Sequence, residues 1–237
     1  MVSSILIVQS ANHLVRMPAA WALVAAAYLL GSVPFGLLLA RQVKGVDLRR
    51  FGSGNIGTSN AARAMGRGWG FLVFLLDFLK GLGPVMVAKS ILPHDSEELA
   101  LLMVVVGTAA VLGHCYSVFL RFQGGKGVAT GCGVIVAIDP RVFICGGLVW
   151  LVTRIATRYA GLASIMMGLT FPVAVWFLDW MDGPEHALRR PAFFVGACLL
   201  TFLVVVRHRS NIHRMLAGTE PRVGDKVGKS PATRHHG

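Results

Sequence analysis

Long apolar runs separated by short charged loops predict an all-α integral membrane protein of about seven transmembrane helices, one of them short. Three observations carry that fold class. Of 237 residues, 54% are hydrophobic and only 14% charged, and the mean hydropathy is +0.64. The apolar residues fall in runs approaching the ~20 that a helix needs to cross about 30 Å of hydrocarbon, not in the short amphipathic periods of a soluble helix. The formal net charge of +12 is distributed over alternate loops, which speaks for a membrane surface and against a nucleic-acid partner.

The expected spans cover residues 18–40, 68–88, 99–112, 128–138, 142–152, 162–178 and 191–206. The run at 128–138 reaches only about 17 Å, so it is either a half-span buried among neighbours or one extended into its polar flanks. Pro34 lies inside the first span, where it removes a backbone donor and should kink the helix. Asp77 and Lys80 stand three apart in an apolar run, on one helical face, where pairing lowers the cost of burying either.

Basic residues concentrate in one set of connections, with Arg41, Lys44, Arg49, Arg50, Arg63 and Arg67 in the first, Arg121 and Lys126 in the next, then Arg154 and Arg158, and Arg207, Arg209 and Arg214 at the end. Asp95, Glu97, Glu98, Asp139, Asp179, Asp182 and Glu185 occupy the opposite loops. The positive-inside rule then puts the N-terminus outside and the C-terminus in the cytoplasm. Residues 1–17, with Asn12, His13 and Arg16, lack a strong apolar core and an A-x-A-like site, so a leader rather than a cleaved signal is expected. A single membrane domain over 18–210 and a basic cytoplasmic tail over 211–237 complete the expected organisation. Cys115, Cys132, Cys145 and Cys198 form no CxxC pair and sit in or beside apolar stretches, which indicates packing rather than a metal or disulfide site.

Three segments on the predicted cytoplasmic side combine glycine with cations: Gly52-Ser-Gly-Asn-Ile-Gly-Thr-Ser-Asn60 followed by Arg63, Gly113-His-Cys-Tyr to Gly124-Gly-Lys-Gly-Val-Ala-Thr130, and Arg207-His-Arg-Ser-Asn-Ile-His-Arg214. Glycine lets main-chain N–H groups turn toward an anion, helix N-termini add partial positive charge, and Lys or Arg neutralises it. Together they describe a phosphate cradle, with Ser53, Gly54, Asn55, Gly57, Asn60, Gly124, Gly125, Lys126, Gly127 and Thr130 among its candidate contacts. The competing reading is tight helix packing for the glycines and headgroup anchoring for Arg63, Lys126 and Arg214. Gly52, Gly54 and Gly57 also satisfy GxGxxG with Asp77 twenty residues on, but no strand precedes them and Asp77 sits in an apolar helix. Lys126 is not a P-loop lysine, because Leu120 and Gly127 stand where Gly and Ser or Thr are required. His114 and His208 fall within the glycine and cation segments, while His235 and His236 read as tail. No HExxH or paired Cys/His spacing calls for a metal, and no cofactor is expected.

Read as GSGNIGTSN, GHCYSVFLRFQGGKGVAT and RHRSNIHRMLAGTE, these segments resemble the bacterial acyl-phosphate:glycerol-3-phosphate acyltransferases, whose patterns are GSGNxGATN, GHxFPVFxxFKGGKGVAT and RHRxNIxRLxxGxE. The resemblance spans about Tyr28 to Arg222. Thr58, Ser59, Tyr116, Ser117, Gln123 and Met215 depart from the patterns, and none of these removes a central cation or glycine. The resemblance implies a seven-span fold of the inner membrane in which Ser53, Arg63, Lys126, His208 and Asn211 gather around the phosphates of acyl phosphate and glycerol 3-phosphate. A weaker fourth stretch, Arg158 to Ser164, adds Ser164, although Gly161 replaces its usual serine. Acyl phosphate already carries a good leaving group, so the enzyme has mainly to align the attacking hydroxyl and stabilise the departing charge. Direct transfer is then expected, with Lys126 and Arg63 clamping phosphate and either His208 or a substrate phosphate taking the proton. Two rival classes are a transporter of an anionic phosphorylated metabolite, which should show related halves with interrupted helices, and a lipid-binding scaffold, which needs cations but not repeated Gly and Asn.

Overall fold

The computed structural model describes residue 14 and residues 16–92, 96–183 and 190–224. Asn12 and His13 of the leader, Asp95 and Glu185 of the acidic loops, and Lys226, Lys229, His235 and His236 of the tail lie outside the described residues, as does the side chain of Glu97. Among the described residues every regular element is helical. The helices are α1 (Pro18–Ser32), α2 (Phe35–Lys44), α3 (Thr58–Met65), α4 (Arg67–Ile91), α5 (Glu97–Cys115), α6 (Val128–Ile138), α7 (Pro140–Thr157), α8 (Ala160–Met181), α9 (Arg190–Arg207) and α10 (Arg209–Leu216).

Local chemistry sets the boundaries. Pro34 does more than kink the first span. It separates α1 from α2, with Val33 extended at ψ 118° between them, because a residue before proline is pushed out of the helical region. The Val33 carbonyl freed by this break accepts from Lys80 Nζ at 2.9 Å, and Lys80 pairs with Asp77 Oδ1 at 2.8 Å. The expected buried ion pair therefore also pins the broken span to α4. Asp47 caps the 3-10 turn Leu48–Arg50 through the Arg49 N–H at 3.0 Å. The hydrogen bonds from Arg49 and Arg41 hold its carboxyl well below the usual carboxylate range. Ser96 caps α5 through the Leu99 N–H at 3.1 Å, and Asp139 caps α7 through the Arg141 N–H at 2.8 Å.

Helix α5 is the centre of the bundle, packed against α1, α4 and α9, while α6 lies along α4 and α8 is held between α7 and α9. The α4–α6 contact is backbone on backbone. A Cβ at Gly81 would sit 2.1 Å from the Thr130 carbonyl oxygen, and one at Gly133 would sit 2.0 Å from that of Phe78, so glycine is required for this approach. A smaller apolar cluster of Leu37, Ala40, Leu48, Ile56, Ala61, Met65 and Val73 joins α2, α3 and their loop to α4. Large apolar side chains face outward: Ile155 is 71% exposed, Trp180 70% and Phe202 69%. That inverts the soluble pattern and suits hydrocarbon as solvent.

Among the described residues, five segments are long and apolar enough to cross a bilayer: Pro18–Lys44 taken through its break, Arg67–Ile91, Glu98–Leu120, Pro140–Thr157 and Ala160–Met181. Pro191–Arg207 and Arg209–Leu216, bent by 53°, make a sixth if counted as one span. The seven of the sequence expectation include α6, which at 11 residues is about 17 Å long and too short to cross alone.

Candidate active site

The three glycine and cation segments meet around one cavity of about 830 Å³. Its first wall is the loop entering α3. The Asn60 side chain is the hub of that loop. Its amide nitrogen donates to the carbonyls of Leu48, Phe51 and Asn55 at 3.0, 2.9 and 2.8 Å, and its Oδ1 accepts the Ser53 N–H at 3.1 Å. Asn55 Oδ1 accepts the Gly57 N–H at 2.8 Å, which turns the chain into α3. Ser53, Asn55, Gly57, Asn60 and Arg63 line the cavity, joined by Arg67 at the start of α4. Arg63 forms no side-chain hydrogen bond or ion pair among the described residues.

The second wall is the turn before α6. Gly127 caps the helix in the left-handed region at φ 79°, a conformation glycine reaches without strain. Lys126 Nζ donates to Asn211 Oδ1. Partial burial, reinforced by Arg214, Arg63 and Arg207 and opposed by Glu220, lowers the Lys126 ammonium to about 8.

The third wall is the elbow between α9 and α10. His208 Nδ1 lies 2.8 Å from the Val204 carbonyl. A carbonyl can only accept, so Nδ1 carries the proton, and because burial and the neighbouring Lys126 lower the imidazole to about 4, it is neutral and Nε2 keeps its lone pair. Asn211 donates through Nδ2 to Glu220 Oε1 at 2.6 Å, and Arg214 Nε donates to Glu220 Oε2 at 2.7 Å. The chain beyond α10 folds back over the site, with the Val223 N–H on the Arg158 carbonyl at 2.9 Å and Arg158 Nη2 on the Val223 carbonyl at 2.8 Å. The start of α8 closes the ring with Ala160, Gly161 and Ser164. Ser164 Oγ donates to its own helix at Ala160 O, 2.9 Å away. A Cβ at Gly161 would meet Asn211 Nδ2 at 2.8 Å, so the departure from serine there makes room for this placement of Asn211.

Helices α3, α4, α6, α8 and α10 begin at the cavity, and none has a side-chain cap. Uncapped helix starts present N–H groups that lack an intrahelical partner and carry a partial positive charge, although at α10 the Asn211 N–H already donates to the His208 carbonyl at 2.9 Å. By contrast, α5 and α7 are capped by Ser96 and Asp139. On the other side the cavity is apolar, walled by Phe71 and Phe74 of α4, Phe143, Gly147, Trp150 and Leu151 of α7, and Met167 of α8. A polar end set for anions and an apolar trough suit an amphiphile with a phosphate head.

Of the sequence candidates, Ser53, Asn55, Gly57, Asn60, Arg63, Lys126, Gly127, Ser164, His208, Asn211 and Arg214 line this space. Gly54, Gly124, Gly125 and Thr130 are not among its lining residues. Gly54 turns the first loop at φ 71°. Gly124 and Gly125 give their carbonyls to Arg207, and Thr130 is fully buried in the α4 contact. Sequence reasoning left out Arg67, Asp77, His114 and Glu220. Glu220 closes the third motif, and Asp77 and His114 face each other at 3.6 Å.

The sequence model of the family described as glycerol-3-phosphate acyltransferase matches residues 21–218. A glycerol-3-phosphate acyltransferase of Aquifex aeolicus is 46% identical over 200 residues, covering 84% of this chain and 97% of the relative. One from Geobacter sulfurreducens is 43% identical over 201 residues, covering 84% of this chain and 95% of the relative. Among solved structures, the glycerol 3-phosphate form of PlsY (YgiH), described as an integral membrane glycerol 3-phosphate acyltransferase, superposes with TM-score 0.74 at 45% identity over 87% of this chain and 96% of its own. The lysphosphatidic acid form gives TM-score 0.74 at 43% identity over the same shares, 87% and 96%. The all-helical bundle, the cavity and these matches agree, and the chain is an integral membrane protein belonging to the glycerol-3-phosphate acyltransferase family.

Proposed function

We propose that this protein transfers a fatty acyl group from acyl phosphate to the 1-hydroxyl of glycerol 3-phosphate, releasing lysophosphatidic acid and phosphate for phospholipid synthesis at the bacterial inner membrane. The observation that carries this reading is the cavity in which uncapped helix starts and the cations Arg63, Lys126 and Arg214 face an apolar trough. Two phosphates and one acyl chain need that combination.

In the reaction the 1-hydroxyl oxygen attacks the acyl carbonyl carbon, and the bond from that carbon to the phosphate oxygen breaks with its electron pair leaving on phosphate. Lys126 and Arg63 neutralise the phosphates, and the helix starts supply fixed dipoles that need no reorganisation during the reaction. The hydroxyl proton passes to His208 Nε2 or to the released phosphate. Asn211, oriented by Glu220, holds Lys126. Phe71, Phe74, Trp150 and Leu151 receive the acyl chain.

The glycine loops and the α9–α10 elbow face the cytoplasm, where the basic loops belong, with seven segments counting α6, one membrane domain over 18–210 and a cytoplasmic tail. Labelling cysteines introduced at Ser53 and Ser96 tests the topology, since labelling of both from one side is incompatible with it. The decisive assay offers purified protein acyl phosphate, acyl-CoA and acyl carrier protein thioester as rival donors. Acyl phosphate alone should support transfer without added metal. Transfer from a thioester at an equal rate would overturn the donor assignment.

A further inference from the structure

We propose that Arg207, which is not among the residues lining the cavity, is a positioning residue for Lys126, fixing the peptide planes of Gly124 and Gly125 so that the lysine and the start of α6 are held against the substrate phosphate. This rests on Lys126 being the phosphate-binding cation proposed above.

Arg207 ends α9, one residue before His208. Its Nε donates to the Gly125 carbonyl at 3.0 Å and its Nη2 to the Gly124 carbonyl at 2.8 Å. Two donors of one rigid fork grip two successive carbonyls, which a lysine cannot reproduce. The guanidinium also lies over the Tyr116 ring, 5.1 Å from its centroid, and Tyr28 Oη donates to the Tyr116 carbonyl at 2.8 Å. The arginine is thus anchored on the end of α5.

On the other side of the loop the Gly125 N–H donates to the His114 carbonyl at 2.9 Å. A Cβ at Gly125 would meet His114 Nε2 at 2.0 Å, so the loop is pressed between Arg207 and His114. In a trans peptide the N–H points opposite to the carbonyl. Holding the Gly125 carbonyl on Arg207 therefore turns the Lys126 N–H away from Arg207. It also keeps two carbonyl dipoles, which would repel a phosphate, directed at a cation. The same element carries His208 and leads into Asn211, which accepts from Lys126. One rigid elbow thereby sets the lysine from its main chain and from its tip.

The charged and titratable groups facing Lys126 are Arg63 on α3, Arg207 and His208 at the elbow, Arg214 on α10, and Glu220 on the returning chain. Removing the Arg207 charge relieves part of the repulsion on the ammonium. The test compares Arg207→Lys, Arg207→Gln and Lys126→Ala by initial rate against pH, with each rate corrected for folded protein from a melting curve. Arg207→Lys keeps the charge and loses the fork, so kcat should fall about tenfold or more with the alkaline limb unmoved. Arg207→Gln should lose at least as much, and its limb should move to higher pH. Arg209→Ala, on the exposed side of the same turn, should match the parent enzyme. If Lys126→Ala is inactive while Arg207→Lys stays within twofold of the parent, the Arg207 inference falls and the function stands. If Lys126→Ala is itself active, the reading of Lys126 falls first. A rate loss in Arg207→Gln that tracks only the folded fraction, with an unmoved limb, would also overturn the proposal.

Discussion

Raising the pH should switch off substrate capture before it harms the protein. In the free enzyme the Lys126 ammonium lies at about 8 against an ordinary 10.5, because partial burial and three neighbouring arginines disfavour its charge. At pH 9 roughly a tenth of the free enzyme then carries the cation, so kcat/KM for glycerol 3-phosphate should fall about tenfold per pH unit above this point. Bound phosphate restores a counter-charge, so the limb in kcat should lie at higher pH than the limb in kcat/KM. Stability changes in the opposite sense. Between about 8 and 10.5 the unfolded chain binds a proton that the folded protein lacks, so this group adds stability as pH rises through that window. A melting curve recorded beside the rates should therefore show no matching loss. The assay is phosphate release from pH 6 to 10, with acyl phosphate hydrolysis subtracted from enzyme-free blanks. In Lys126→Arg the side chain stays charged throughout, and the limb should vanish from whatever activity remains. A limb of the same position and slope in Lys126→Arg would refute the assignment.

Arg63→Lys keeps a cation but cannot grip a phosphate through two donors, so kcat/KM should drop about tenfold to a hundredfold with membrane insertion intact. Near-normal kinetics would assign Arg63 to the lipid headgroups. Asp77→Ala should destabilise the protein by about 3 to 5 kcal/mol, because it strands the buried Lys80 charge. The double replacement Asp77→Ala with Lys80→Met should recover much of this loss in a detergent melt, and a double variant no more stable than the single one would contradict the pairing. Gly147 has open space where a Cβ would stand and lines the apolar trough, so Gly147→Trp should raise KM for long acyl phosphates far more than for short ones. Equal effects across chain length would place the acyl group elsewhere. Activity should survive chelation, and specific recovery by one divalent ion after its loss would argue for a metal.

The polar end of the candidate site was legible because its chemistry is local. Ser53, Arg63, Lys126, His208 and Asn211 sit in short segments whose glycines and cations mean the same thing before and after folding, and all five line one cavity. The apolar trough was not legible, because Phe71 and Trp150 are indistinguishable in sequence from the lipid-facing residues beside them. Gly124 and Gly125 were expected at the substrate, but their carbonyls are committed to Arg207, a contact across 82 residues that no local pattern reveals. Glu220 was missed although it closes a recognised motif, since its role needs the chain after α10 to fold back. The α6 helix showed its length plainly. What its sequence did not show was that Gly81 and Gly133 let it pack backbone to backbone along α4.

The uncapped helix starts limit how stable this fold can be made. Placing Ser or Asp at Gly57, whose backbone is already extended at φ −88°, is a standard route to stabilisation, and relative to glycine a side-chain cap contributes about a few tenths of a kcal/mol. Here such a cap would satisfy donors that the proposed function assigns to a phosphate, and an aspartate would add a charge that repels one. The improved protein would melt higher and bind less. Attempts to harden this enzyme for crystallisation or industrial use should therefore work on its other end, near Arg141 and Asp182, and leave the helix starts at the cavity without caps.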